Sequence, residues 1–181
     1  HIRVPVAWHH NLIDSPAGLQ FHPDFIKDLE PVLRRALERK MRILLDWHHF
    51  DDLATDPAGH RARFVTVWEA VARHFKSWPQ ELYLELLNEP KDALTTEVAN
   101  PIYADAIAAI RKIDPQRIIF VSPGRWGEIR ELENLRLPDG DDRIAVTVHC
   151  YEPFFFTHQA APWVNLKGLR GLTYPGPPAK P

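Results

Sequence analysis

Apolar positions along the chain fall into two kinds of run. Five short runs, at Ile2 to Val6, Arg42 to Trp47, Leu82 to Leu87, Arg117 to Ser122 and Ile144 to His149, have strand character, most of them apolar almost throughout. Continuous runs of this kind fit parallel strands covered on both faces, whereas one-sided antiparallel strands alternate. Between them the period changes to that of a helix. Phe25 to Lys40 places Leu29, Val32, Leu33, Ala36 and Leu37 on one face, with Pro31 as a kink or late start. Asp56-Pro57 reads as a cap and first helical position before Phe64, Trp68, Val71, Ala72 and Phe75. Asn100-Pro101 reads the same way before Ile102, Ala106, Ile110 and Ile113, and a weaker helix is expected from Trp126 to Leu132.

The resulting order, β-α-β-α-β-α-β-α-β, suits an open doubly wound sheet or a (β/α)8 TIM barrel of which about five units are present. No G-x-G-x-x-G follows the first strand, as a dinucleotide-binding sheet requires, so the partial barrel is preferred and residues 1–181 are expected to form one barrel domain.

Composition narrows the classes. With 181 residues, 45% apolar and 25% charged, the chain can bury a core, and disordered or disulfide-rich classes are excluded. A net charge of −2 argues against nucleic acid as a partner. No apolar run reaches the ~18 residues of a membrane helix, and the single Cys150 cannot form an internal disulfide. The chain opens on His1-Ile-Arg-Val-Pro-Val without an initiator Met, as a strand already under way, and ends at Tyr174-Pro-Gly-Pro-Pro-Ala-Lys-Pro181 in loop composition; it reads as a piece of a longer protein. These residues do not fix the compartment.

In either architecture the chemistry belongs at the carboxyl ends of the strands. There the chain sets Arg3 with Trp8-His9-His10, Asp46-Trp47-His48-His49, Asn88-Glu89-Pro90, Ser122-Pro123-Gly124-Arg125-Trp126 and His149-Cys150-Tyr151-Glu152-Pro153. Polar, ionisable and aromatic groups thus gather at one rim, where a folded barrel would bring them within reach of one substrate.

Ile2-Arg3-Val4-Pro5, Leu45-Asp46-Trp47-His48-His49, Leu84-Glu85-Leu86-Leu87-Asn88-Glu89-Pro90 and Val148-His149-Cys150-Tyr151-Glu152-Pro153, followed by Phe156-Thr157-His158-Gln159, resemble glycoside hydrolase family 5, the cellulase and mannanase barrels. The resemblance runs from the second family strand to the sixth. It implies Glu89 as general acid/base, Asn88 as the hydrogen-bond partner of the sugar 2-hydroxyl, His48, His49, His149 and Tyr151 as further substrate-binding residues, and Arg3 as support for the nucleophile. The family's nucleophilic glutamate, on the seventh strand, and the tryptophan after the eighth have no counterpart in these residues.

The implied partner is a β-linked polysaccharide, cellulose-type glucan before mannan or mixed-linkage glucan, with no cofactor and no metal. For the parent protein, a monomer and export to the periplasm or medium are expected.

Several residues admit plainer readings. Glu85 is expected to be a buried partner of Arg3 rather than a second catalytic carboxylate, and Asp46 to hold a histidine or backbone amides beneath the site. Trp8, Trp47, Trp126 and Trp163 are candidates for stacking on sugar rings, whereas Trp68 and Trp78 are expected in the core. His22, His60, His74 and His158 are expected to be structural. A metal-dependent hydrolase is the rival enzyme reading; it is disfavoured because His9-His10 and His48-His49, if extended, point their rings to opposite faces. A noncatalytic, incomplete barrel that binds glycan weakly is the third. Five strands alone leave a barrel open, so the isolated chain is expected to be inactive and to aggregate, unfold in part or self-associate.

Overall fold

The computed structural model describes residues 1–16, 18–166 and 168–176. The last residues of the terminal Pro-Gly-Pro-Pro loop, 177–181, lie outside the described residues. The chain forms two compact units, His1–Val148 and a second that begins at His149.

The first unit is built on strands β1 (Ile2–Val6), β2 (Leu12–Ser15), β3 (Gly18–Phe21), β4 (Ile43–Trp47), β5 (Leu82–Glu85), β6 (Ile119–Val121) and β7 (Ile144–Val146). Its longer helices are α1 (Pro23–Glu38), α3 (Pro57–Phe75) and α4 (Thr96–Ile113), with a short α2 (Asp51–Thr55) before α3. Strands β1, β4, β5, β6 and β7 pair in parallel in that order, each neighbour reached through helical crossovers, which is the partial (β/α)8 barrel expected from the sequence. The five strands lie where the apolar runs place them, β1 over the whole of its run and the other four trimmed by one to three residues.

The strand pleat sorts side chains to two sides. Ile43, Leu45, Trp47, Leu82, Leu84, Ile119 and Val121 point to the helices and are buried. Arg3, Leu44 and Tyr83 share one row on the other side, and Asp46 and Glu85 stand opposite each other in the next. Helix α3 is capped by Asp56, whose Oδ1 accepts from Gly59 N at 3.0 Å, with Pro57 at its first turn. It buries Phe64, Val67, Trp68, Val71, Ala72 and Phe75, one continuous stripe at 3.6-residue spacing. Each large side chain in that stripe is worth ~1.5–3 kcal/mol of burial.

Three local expectations are corrected. Helix α4 begins at Thr96 with Thr95 as its cap, accepting from Val98 N at 3.4 Å, so Pro101 sits inside the helix rather than at its start. The capping-type side chain of Asn100 is instead taken up by the backbone of Asn134 and Arg136. On α1, Val32 is 53% exposed, outside the buried stripe of Leu33 and Ala36. Trp126 to Leu132 is not one helix. Arg125 (φ 51°) and Trp126 (φ 59°) adopt left-handed backbone, which interrupts it, and a 3-10 turn follows from Ile129 to Asn134. The β2–β3 hairpin was not anticipated; it carries Leu19 and Phe21 to the core beside Trp8.

The second unit holds a single helical turn, Phe154–Thr157. Glu152 Oε2 accepts from Phe154 N at 3.1 Å, and Thr157 Oγ1 donates to Tyr151 O at 2.6 Å.

Candidate active site

Arg3, on the second residue of β1, reaches across β4 to the end of β5. Its Nε donates to Glu85 Oε2 at 2.7 Å, while Nη2 donates to Glu85 Oε1 at 3.0 Å and to Asn88 Oδ1 at 2.7 Å. Glu85 is fully buried, so this bidentate fork is its compensation for leaving water, as the sequence reading expected. Asp46 is also fully buried, and its Oδ2 lies 3.3 Å from Arg3 Nε without a hydrogen bond. Two buried carboxylates thus share one guanidinium. Burial lowers the Arg3 pKa, but the Glu85 hydrogen bond and the charges of Glu85, Asp46 and Glu89 outweigh it, and the net shift is upward. Burial pushes the Asp46 carboxyl up to about 6, reinforced by Glu85 and opposed by Arg3 and His48.

His48 follows directly, with Nδ1 2.9 Å from Asp46 Oδ1, and is half-buried; His49 is exposed. Asn88 is buried, its N–H donating to Trp47 O at 2.9 Å, and Glu89 is partly exposed with φ 46°. A glutamate in left-handed backbone costs ~1–3 kcal/mol and persists only where its surroundings hold it. Here the next residue, Pro90, accepts a 2.9 Å bond from Trp126 N. Trp126 is itself left-handed and 52% exposed, so two strained segments brace each other and present Trp126 beside the turn that carries Glu89.

The turn before Trp126 is anchored from α4. Buried Thr96 Oγ1 accepts from Gly124 N at 2.9 Å and donates to Glu131 Oε2 at 2.7 Å, and Glu131 Oε1 lies 3.1 Å from Arg125 Nε. Thr96 and Glu131 were missed by the sequence reading, since nothing marks a pair 35 positions apart as partners. His149 and Tyr151 belong to the second unit, where their rings lie 6.2 Å apart.

The structure removes two candidates for stacking: Trp8 and Trp47 are fully buried. Trp8 is packed by Phe21, Phe25 and Phe75, and Trp47 by Phe50 and Phe64. Trp68 and Trp78 are core, and Trp163 is exposed in the second unit. The histidine pairs do not splay apart. The rings of His9 and His10, at the end of a 3-10 turn, lie 3.9 Å apart, and those of His48 and His49, just past the last residue of β4, lie 4.5 Å apart. The argument against a metal from diverging rings is thus lost; among the described residues no group of three or more His, Cys, Asp or Glu is placed to hold an ion. His9 Nδ1 accepts from Trp47 Nε1 at 3.1 Å, and burial, then the neighbouring His10, lowers its pKa. His74 lies 3.0 Å from Glu30, His60 packs edge-on to Phe50 and His158 stacks on Phe154, all structural contacts.

A concavity of about 1090 Å3 opens at the amino ends of the strands, lined by Lys40, Arg42, Glu81, Tyr83 and Phe120. Of the candidate residues only Arg3 reaches it. No described helix is long and apolar enough to cross a membrane.

A parallel barrel sheet whose carboxyl ends carry a strained glutamate, an amide clamped by arginine and paired histidines defines the class of (β/α)8 barrels with ionisable groups gathered at the strand ends. The model of one such family, Cellulase (glycosyl hydrolase family 5), matches residues 1–173, and the chain belongs to that family. Endoglucanase H of Acetivibrio thermocellus is 31% identical over 160 residues, covering 88% of this chain and 17% of its own length. Endoglucanase C of the same organism is 30% identical, covering 97% of this chain and 54% of its own. Among solved structures, Thermotoga maritima Cel5A in complex with mannotriose superposes with a TM-score of 0.89 at 34% identity, over 98% of this chain and 57% of that one. The same protein in complex with cellobiose gives 0.86 at 34% identity, over 97% and 57%. The chain thus spans about half the length of endoglucanase C and Cel5A and a smaller share of endoglucanase H.

Proposed function

We propose that the protein is a retaining endo-β-1,4-glucanase with Glu89 as its general acid/base. The observation that carries this reading is the Glu89 turn itself: a left-handed glutamate directly after an asparagine whose carbonyl is held by Arg3, in a chain of family 5. With Asn88 Oδ1 engaged by a donor, Nδ2 is left to donate, which suits the 2-hydroxyl of the sugar being transferred. His48 and His49 are proposed to bind that sugar and Trp126 to offer a stacking face beside Glu89, while His149 and Tyr151, in the second unit, are substrate-binding candidates on the family resemblance alone.

The nucleophile is assigned to a carboxylate outside this chain. Glu85 and Asp46 are both fully buried, and Glu85 is spent on Arg3, so neither can reach an anomeric carbon. Arg3 then supports the nucleophile through its charge. It follows that these 181 residues alone should not cleave β-glucan. Cleavage by a well-behaved monomer of the chain would make Glu152 the first replacement to examine.

The test uses the complete protein. Glu89→Gln should abolish turnover of cellulose, whose leaving group needs a proton, and spare the first step on activated aryl cellobiosides. Azide should restore part of the turnover of Glu89→Ala, because a small anion replaces the water that Glu89 no longer activates. Equal loss on both substrates, with no azide effect, refutes the assignment. β-Mannan is the second reading, favoured by the mannotriose complex of the similar Cel5A; relative kcat/KM on cellohexaose and mannohexaose decides between them.

A further inference from the structure

Asp46 touches no open surface, yet its carboxylate is the link between the buried charges and the half-buried His48. We propose that Asp46 is a positioning residue: it fixes His48 in the Nδ1–H tautomer and so presents Nε2 as a hydrogen-bond acceptor for a sugar hydroxyl. The identity of that hydroxyl rests on the glucanase reading; the tautomer does not.

The geometry argues it from both oxygens. An ionised carboxylate can only accept, so at 2.9 Å the proton between Asp46 Oδ1 and His48 Nδ1 belongs to the imidazole. In the neutral ring this leaves Nε2 bare, and it has no hydrogen-bond partner among the described residues. His9, at the same rim, is set the opposite way: Trp47 Nε1 can only donate, so His9 Nδ1 must accept and its proton lies on Nε2. The two histidines therefore carry opposite tautomers, each imposed by one buried partner.

The other oxygen predicts what an amide would do. Asp46 Oδ2 lies 3.3 Å from Arg3 Nε, a donor, and has no hydrogen bond. In Asp46→Asn the side chain should turn its oxygen to Arg3 and its NH2 to His48. His48 Nδ1 must then accept, and the ring proton moves to Nε2, converting the presented group from acceptor to donor.

The experiment is a long-range 1H–15N correlation of the histidine side chains in 15N-labelled protein at pH 8, where imidazoles are neutral; His48→Gln and His9→Gln assign the signals. His48 should show protonated Nδ1 and bare Nε2, His9 the reverse, and Asp46→Asn should invert His48 alone. Cellobiose added to the wild type should move the His48 Nε2 resonance with the proton still on Nδ1. A wild-type His48 protonated at Nε2 overturns the proposal even if the variant does not fold. A folded Asp46→Asn with an unchanged tautomer also overturns it, and saturation by cellobiose without movement of Nε2 overturns the acceptor role. None of these readings depends on turnover, so they fail or stand apart from the Glu89 tests.

Discussion

Replacing Asp46 by Asn should stabilise the protein at pH 8 and leave it unchanged at pH 4. Asp46 is fully buried and its neighbours are mixed in sign: Arg3 from β1 and His48, just past the end of β4, favour the ionised form, and Glu85 from β5 opposes it. Burial prevails and lifts the carboxyl from 3.8 to about 6. Because the folded state then binds the proton more tightly than the unfolded one, stability falls as pH rises through this interval, by about 1.4 kcal/mol per pH unit at most. Ionised Asp46 therefore costs on the order of 3 kcal/mol above pH 7, and nothing below pH 4. Asparagine has the same shape and no charge to bury. The difference in unfolding free energy between variant and wild type should grow from near zero at pH 4 towards ~3 kcal/mol at pH 8, read from urea midpoints at constant m. A variant no more stable than the wild type at pH 8, or a difference that does not vary with pH, refutes the reasoning. Confirmation would mean that stability has been given up to keep a carboxylate beneath His48.

Two further outcomes follow from the same packing. Arg117→Met should lower stability by about 3–5 kcal/mol in a thermal or urea melt, since it strands Asp114 and the carbonyls of Phe75, Trp78, Pro79 and Leu82 in the core; a loss under ~1 kcal/mol would count against a buried staple. Gly124→Ala should cost about 1–3 kcal/mol and change the fluorescence of Trp126, because the new Cβ would stand 2.8 Å from the Thr96 backbone N and 3.0 Å from its Oγ1; unchanged stability would show that the loop can yield.

Much of the fold is legible in the chain because its elements are specified locally. The five apolar runs and the Asp56-Pro57 start signal each depend on neighbours in sequence, and each forms where it is read. Asn100-Pro101 carries the same signal and misleads, since Thr95 supplies an earlier cap and a loop 34 residues away claims the Asn100 amide. Trp8 and Trp47 mislead for a related reason. Standing at strand ends makes an aromatic a candidate platform, but the lids over these two, the β2–β3 hairpin and Phe50 with Phe64, are tertiary facts. Of the site, the residues at the strand ends are visible in sequence, whereas which oxygen meets which nitrogen depends on register across β1, β4 and β5.

That register also separates two treatments of buried charge in one sheet. Arg117, fully buried just before β6 begins, has every donor direction used: one carboxylate and four backbone carbonyls within 3.1 Å. Asp46, equally buried at the other end of β4, is left with an oxygen that has no hydrogen bond and a carboxyl held near 6. A site selected for stability alone would resemble the first, since an unsatisfied buried oxygen costs ~1–3 kcal/mol. The unspent hydrogen-bonding capacity, the left-handed Glu89 and the left-handed Arg125-Trp126 pair all gather at the carboxyl ends of the strands, while the satisfied network holds the amino ends. Strain and incomplete pairing thus gather mainly at the end of the barrel where glycoside chemistry is proposed, Lys40 (φ 58°) being a left-handed residue at the amino ends, and the Asp46→Asn and Arg117→Met variants should move stability in opposite directions at pH 8.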